Sequence, residues 1–234
     1  MGLVRHPYID QASEAFRGLT FSYKVHLWVV IFVAVSALVL RVGRWGAEWA
    51  SMAGCILILL TGFLAVFLPY RQQVGPIAST RSLVLVGLVG AGVSALNIYF
   101  GFPFGKIVFA HSWCPYLLIS MWVVVVFGVV ILARKWLHGI GCILGSGVLV
   151  GLLSILASAS AGAVGFWTWK EPGPLPNNTP LLFPVGWFVI SALAAAVIDQ
   201  SLSHESVEYR EPGYVVWLQS GLLAVLLIIY TFIK

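Results

Sequence analysis

Apolar side chains fall in long uninterrupted stretches along the chain, and nearly all charged residues lie between those stretches. A helix needs roughly 20 apolar residues to cross the hydrocarbon core of a bilayer. The stretches are far longer than the ~10-residue alternating strands of an outer-membrane barrel, so they predict α-helices. We predict seven spans, approximately Tyr23–Leu40, Trp49–Tyr70, Ser82–Phe100, Pro115–Ala133, Ile140–Val164, Thr179–Ile198 and Tyr214–Ile233.

The connections between these stretches are short, about 8 to 18 residues, which leaves no room for a separate soluble domain. The sequence therefore predicts an all-α polytopic transmembrane helix bundle, in which residues 23–234 form a single domain. Residues 1–22 are mixed polar and lack the apolar core and cleavage site of a secretory signal. We expect them to form an amphipathic cytoplasmic segment that lies on the membrane surface.

Composition supports an integral membrane protein, because 60% of the side chains are apolar and only 9% are charged, with a mean hydropathy of +0.99. Soluble domains have nearer 45–50% apolar and about 25% charged residues. So few charges do not build a nucleic-acid site, and the net charge of +5 is better interpreted as a topology signal. With the N-terminus in the cytoplasm, eight Lys and Arg lie inside and five outside, which favours this orientation. We expect the membrane to be a bacterial or archaeal cytoplasmic membrane.

The fifth predicted span carries small residues at three- and four-residue spacing, which places them along one helix face. Such a face lets a neighbouring helix approach closely, and the third span repeats the pattern more weakly. We therefore expect the third and fifth helices to be central neighbours. The two stripes consist of Gly147, Gly151, Ser154, Ser158 and Gly162 on the fifth span, and Gly87, Ala91 and Ala95 on the third.

Several kinds of chemistry are disfavoured by the residue pattern. We find no ionisable residue in the middle of a predicted span, which argues against a proton-coupled carrier. The five histidines are scattered singly, so no metal site is predicted. Phosphate-binding and dinucleotide-binding glycine loops are also missing from the sequence, and no cofactor is expected.

Aromatic residues and prolines are concentrated in two loops, GFPFGKIVFAHSW after the third span and GFWTWKEPGPLPNNT after the fifth. In the N-in orientation both loops lie on the outer face. Such residues are typical of an aromatic belt at the membrane interface. They also suit a fixed pocket, because aromatic faces attract cations, including the carbocation that forms when a polyene double bond is protonated.

The same loops carry a resemblance to a known family. The segment Ala95-Leu-Asn-Ile-Tyr-Phe-Gly-Phe-Pro-Phe-Gly-Lys is followed by Cys114-Pro115 and an apolar span with Trp122. Later come Gly165-Phe-Trp-Thr-Trp and Pro180-Leu-Leu-Phe-Pro-Val-Gly-Trp-Phe. In this order the motifs resemble the CruF-like carotenoid hydratases, polytopic membrane proteins of carotenoid biosynthesis, over roughly residues 90 to 195. The resemblance implies protonation of a polyene end group and addition of water, which yields a tertiary alcohol.

The chain departs from that family where its acids are expected. Members typically place a carboxylate before each loop motif, whereas this sequence has Ser94 and Asn97 in the first place and Ser158 and Ser160 in the second. A serine or an asparagine does not protonate an alkene. Two readings stay open. The first is a carotenoid hydratase, which is a lyase, that uses another acid. The second is a non-catalytic membrane subunit or scaffold with the same fold.

From this resemblance we name candidate site residues in an outer-face aromatic pocket. Substrate contacts are assigned to Asn97, Phe104, Trp167, Trp169 and Trp187. The catalytic candidates are Glu171 and Glu48, which are the only acids on the predicted outer side. The expected partners are a membrane lipid or carotenoid and, in the second reading, other membrane-protein subunits, with no nucleic acid and no metal.

Overall fold

A computed structural model describes residues 20–42, 48–101, 104–112, 114–202 and 211–232. Its helices are α1 (Phe21–Val42), α2 (Glu48–Val74), α3 (Pro76–Phe100), α4 (Cys114–Ala133), α5 (Ile140–Val164), α6 (Leu182–Ser201) and α7 (Glu211–Phe232). Two short strands, β1 (Ile107–Phe109) and β2 (Trp167–Trp169), and a 3₁₀ turn at Pro176–Asn178 complete these elements. The predicted amphipathic segment 1–22 lies almost wholly outside the described residues.

The prediction of an all-α membrane bundle is confirmed. Within the described ranges, six helices are long and apolar enough to cross a membrane, from α1 to α6, while the apolar part of α7, Tyr214–Ile228, is shorter. The helices are therefore placed close to the seven predicted spans. Their apolar faces point outward as well as inward, as expected for a bundle whose solvent is lipid.

The connection between α2 and α3 is much shorter than predicted. Gly75 alone separates the two helices, with a φ of +84° that favours glycine, and Pro76 starts α3. Across this corner the Tyr70 hydroxyl donates a hydrogen bond to Ser82 Oγ at 2.9 Å. The charged residues that suggested a loop lie instead on helix ends, where long basic side chains reach water from a helical backbone.

Helix α4 occupies the centre of the bundle, so the expectation that the third and fifth helices are central is wrong. In the apolar stretch of α4, 71% of the residues are buried inside the protein, against 22% for α3 and 39% for α5. Around it pack α2, α3, α5, α6 and α7. The side chains of Val126, Val129 and Val130 are completely buried against these neighbours. Hydropathy did not reveal this arrangement, because every span is apolar on all sides.

The small-residue stripe on α5 does support close packing, but its main partner is α6. A Cβ added at Gly147 would lie 2.8 Å from the carbonyl oxygen of Phe188, and one added at Gly151 would lie 3.0 Å from that of Pro184. The two backbones thus approach so closely that only glycine fits without a shift. This contact fixes α6, and with it the residues that α6 contributes to the site.

We expect Gly147→Ala to lower the free energy of unfolding by about 1–3 kcal/mol, because the new methyl group overpacks the α5–α6 contact. Gly87→Ala is the matched control, since a Cβ at Gly87 meets no atom within 4 Å. That control should leave stability unchanged or raise it slightly, as alanine is the better helix former. Unfolding in mixed detergent micelles measures both variants, and equal stabilities would contradict the packing described above.

Candidate functional site

The two aromatic loops lie at the same end of the bundle and are joined by a two-stranded antiparallel sheet. Ile107 pairs with Trp169 and Phe109 pairs with Trp167. Backbone bonds from Lys170 N to Lys106 O and from Ala110 N to Phe166 O extend the pairing. The expectation that these loops share one face is therefore confirmed, and we call this face the loop end.

Behind the sheet lies an aromatic cluster made of Phe104, Trp122, Trp169, Phe183 and Trp187. Phe104 stacks on Trp187, with centroids 5.1 Å apart and an interplanar angle of 11°. Phe183 meets Phe104, Trp169 and Trp187 edge-on, with centroids 5.0–5.9 Å apart. All five rings are buried. Such offset and edge-to-face contacts stabilise a fixed arrangement of rings.

A chain of hydrogen bonds holds the second loop against α5. Trp169 Nε1 donates to Ser158 Oγ at 3.1 Å, and Ser158 Oγ lies 2.6 Å from Thr179 Oγ1. Because the Thr179 hydroxyl donates to the Pro176 carbonyl at 2.7 Å, the Ser158 hydroxyl must donate to Thr179. Asn177 Nδ2 also donates to the Ser158 carbonyl. The Trp169 indole N–H and the hydroxyl groups of Ser158 and Thr179 therefore all have partners.

Asn97 anchors the first loop. Its side chain is buried, and its Oδ1 accepts a hydrogen bond from the backbone N–H of Phe104 at 3.3 Å. Its carbonyl accepts from the N–H of Gly101, whose φ of +72° ends α3 in a left-handed turn. Asn97 thereby positions Phe104 in the aromatic cluster.

An apolar cavity of about 190 Å³ lies beneath the aromatic cluster, between α1, α2, α4, α5, α6 and α7. At its loop end the lining includes Phe166, Trp167, Phe183 and Trp187, and deeper in the bundle it includes Gln219 of α7. The sequence predicted an aromatic pocket at the loops that follow the third and fifth spans. None of the described lining residues belongs to α3, because α4 lies between α3 and the cavity.

The predicted substrate-contact residues fall into two groups. Trp167 and Trp187 line the cavity, and in the described structure the indole N–H of each is buried without a hydrogen-bond partner. Phe104, Trp169 and Asn97 lie behind this lining and support it. Sequence position identified the aromatic loops but gave no indication of which rings face the cavity.

The two candidate acids have different positions. Glu171 is exposed in the second loop and is not among the residues that line the cavity. Glu48 is the first residue of α2, and its side chain lies outside the described part of the structure. Among the residues that the structure describes, His, Cys, Asp and Glu form no group of three or more able to hold a metal ion.

Sequence reasoning missed a polar group in the middle of the bundle. His26 is completely buried and contacts Thr61, which lies halfway along α2. His26 lies near the beginning of the first span, and the sequence did not show how far along α2 its neighbour lies. Gln219 was also missed, although a glutamine inside an apolar span is itself a signal of function.

A sequence profile of the family described as "Carotenoid biosynthesis protein" matches residues 53–233. The match covers most of α2 and all of the loop motifs, the aromatic cluster and the helices from α3 to α6. No curated protein and no solved structure matches the chain.

Proposed function

The chain belongs to the carotenoid biosynthesis protein family, and we propose that it binds a polyene or isoprenoid chain in the apolar cavity. The observation that carries this proposal is the lining of that cavity. It is formed almost entirely by aliphatic and aromatic side chains from six helices, with the indoles of Trp167 and Trp187 at the loop end. A long hydrocarbon with few polar atoms matches such a lining.

The affinity for such a ligand must come from shape and contact rather than from escape from water. A polyene in the bilayer is already surrounded by hydrocarbon, so the hydrophobic effect does not favour its transfer into the protein. Fixed aromatic rings offer close dispersion contacts that mobile lipid tails do not maintain. The stacked Phe104–Trp187 pair and the hydrogen-bonded Trp169 keep the wall of the cavity in place.

Ala157→Phe should reduce pigment binding about tenfold. Ala157 is buried in the lining of the cavity, and a phenyl ring there occupies the volume that the ligand needs. Ala95→Phe is the matched control, because Ala95 is exposed on α3, which contributes no described lining residue. Both variants are purified from lycopene-producing cells, and carotenoid absorbance per protein is measured on the monodisperse fraction. Equal pigment in the two variants would place binding outside this cavity.

Hydration of the bound polyene is the second part of the proposal. In that reaction an acid protonates a C=C bond, water attacks the resulting tertiary carbocation, and the added water loses a proton. The Trp167 and Trp187 rings support this chemistry because aromatic faces stabilise a cation.

The two readings from the sequence differ in whether the protein has an acid that can protonate the polyene. The described lining of the cavity contains no carboxylate, which favours a non-catalytic membrane subunit that holds a carotenoid or lipid for other membrane proteins. Retention of the aromatic loops favours the hydratase. In the hydratase reading, the proton comes from Glu171 or from Glu48.

For Glu171 we expect the Glu171→Gln variant to lower turnover on the order of 10²–10⁴-fold, because the amide keeps the shape and cannot donate the proton. Lys170→Gln changes the adjacent exposed residue and should leave turnover unchanged. Hydroxylated product is quantified in cells that supply an acyclic carotene. Unchanged product in Glu171→Gln would remove Glu171 from the mechanism, and no product from the unaltered protein would leave only the non-catalytic reading.

We further propose that the loop end lies on the outer side of a bacterial or archaeal cytoplasmic membrane, with the N-terminus inside. The Lys and Arg asymmetry supports this orientation. A Pro172→Cys thiol should then react with a membrane-impermeant maleimide in intact cells, and a His138→Cys thiol should not. Both positions are exposed, at opposite ends of the bundle. The reverse labelling pattern would invert the orientation.

A further inference from the structure

Three polar residues lie together in the bundle: His26 of α1, Thr61 of α2 and Gln219 of α7. Gly62 of α2 lies beside them. His26 Nδ1 lies 2.9 Å from Thr61 Oγ1. The Thr61 hydroxyl donates its hydrogen to the Leu57 carbonyl at 2.7 Å, so it accepts from His26 Nδ1–H. In the neutral imidazole, Nε2 is then an acceptor, and in the described structure it is buried without a partner.

The carboxamide of Gln219 lies beside this imidazole. Gln219 is only 7% exposed, and neither its Nε2 nor its Oε1 has a hydrogen-bond partner among the described residues. A Cβ added at Gly62 would lie 2.6 Å from Gln219 Nε2 and 3.1 Å from His26 Cε1. Glycine at position 62 therefore leaves the space into which both side chains fit.

Gln219 also lines the apolar cavity, which connects this polar group to the proposed binding site. A buried carboxamide without partners is unfavourable, most of all in apolar surroundings. Here the unpaired donor and the unpaired acceptors lie deep in the bundle, away from the loop end. Gln219 borders the cavity, whereas His26 is completely buried and is not among the described residues that line it.

We propose that the Gln219 carboxamide turns into the cavity and forms a polar subsite that recognises a single hydroxyl group on an otherwise hydrocarbon ligand. The carboxamide N–H donates to the hydroxyl oxygen, and the hydroxyl hydrogen is accepted by Gln219 Oε1. A carbonyl would use only the donor and leave Gln219 Oε1 unpaired. A carboxylate would place a charge in hydrocarbon beside the acceptor oxygen of Gln219, which is still less favourable.

This inference rests on the proposed function, because it names the chemistry of the ligand in the same cavity: a polyene or isoprenoid alcohol. The subsite also sets the direction of the ligand. Its hydroxyl-bearing end binds near Gln219, and the opposite end extends toward Trp167 and Trp187 at the loop end.

The test uses the full chain in phosphatidylcholine nanodiscs and two pigments that differ by one hydroxyl group, β-carotene and β-cryptoxanthin. We expect β-cryptoxanthin to bind with a dissociation constant about tenfold lower than that of β-carotene. Gln219→Leu should abolish this preference while β-carotene still binds. Ser220→Ala is the matched control and should keep the preference, because the neighbouring Ser220 hydroxyl is bonded to the Val216 carbonyl of its own helix.

Gln219→Met provides a second variant if Gln219→Leu does not purify, since methionine keeps the length of the side chain, lacks the carboxamide donor and acceptor, and should also remove the preference. Equal binding of the two pigments by the unaltered protein would overturn the subsite and leave the proposed function intact. Binding of neither pigment would overturn the proposed function itself. Displacement of β-cryptoxanthin by an equal amount of dioleoylglycerol would overturn the polyene alcohol and identify a membrane lipid as the source of the hydroxyl.

Discussion

Inside hydrocarbon every polar group needs a partner within the protein, and this constraint organises the whole bundle. The helices satisfy it for the backbone. Ser158 satisfies it for the second loop, since it links the Trp169 indole to Thr179 and accepts from Asn177 at its carbonyl. The groups that break the rule are therefore informative. Buried groups without a hydrogen-bond partner in the described structure include the indole N–H groups of Trp167 and Trp187 and the carboxamide of Gln219, and these three residues line the same cavity. Others, on His26, Asn97 and Ser146, belong to residues outside its described lining.

The sequence predicted the spans because their length and hydropathy follow directly from the thickness of a bilayer. It did not predict which helix is central. Val126 on α4 is completely buried, whereas Phe32 on α1 and Leu88 on α3 are 66% and 65% exposed, yet all are large apolar residues in similar stretches. When lipid is the solvent, inward and outward faces have the same polarity, so periodicity does not distinguish them. The glycines of α5 indicated a close contact but not its partner.

The sequence predicted the site in part, as it did the fold. Two aromatic loops were expected on one face, and the pairing of β1 with β2 places them there. Which of their residues line the cavity and which support that lining depends on tertiary contacts, and the spacing of residues in the sequence does not predict those contacts. Asn97 holds the turn that carries Phe104, and Asn177 packs where a side chain on Gly162 would lie. Gln219 and His26 were overlooked because they are far apart in the sequence and meet only when α1 and α7 both pack against α2.

The positions at which related proteins are expected to carry acids have structural roles in this chain. Ser158 is completely buried and fully hydrogen-bonded, and Ser160 donates between α5 and α7, toward the carbonyls of Leu156 and Leu223. A carboxylate at either position would be buried and would face these carbonyl oxygens or lose the hydrogen bond that a hydroxyl donates. Both serines therefore belong to the packing and hydrogen bonding of the bundle. Any proton that this protein delivers to a polyene must therefore reach the cavity from outside α5.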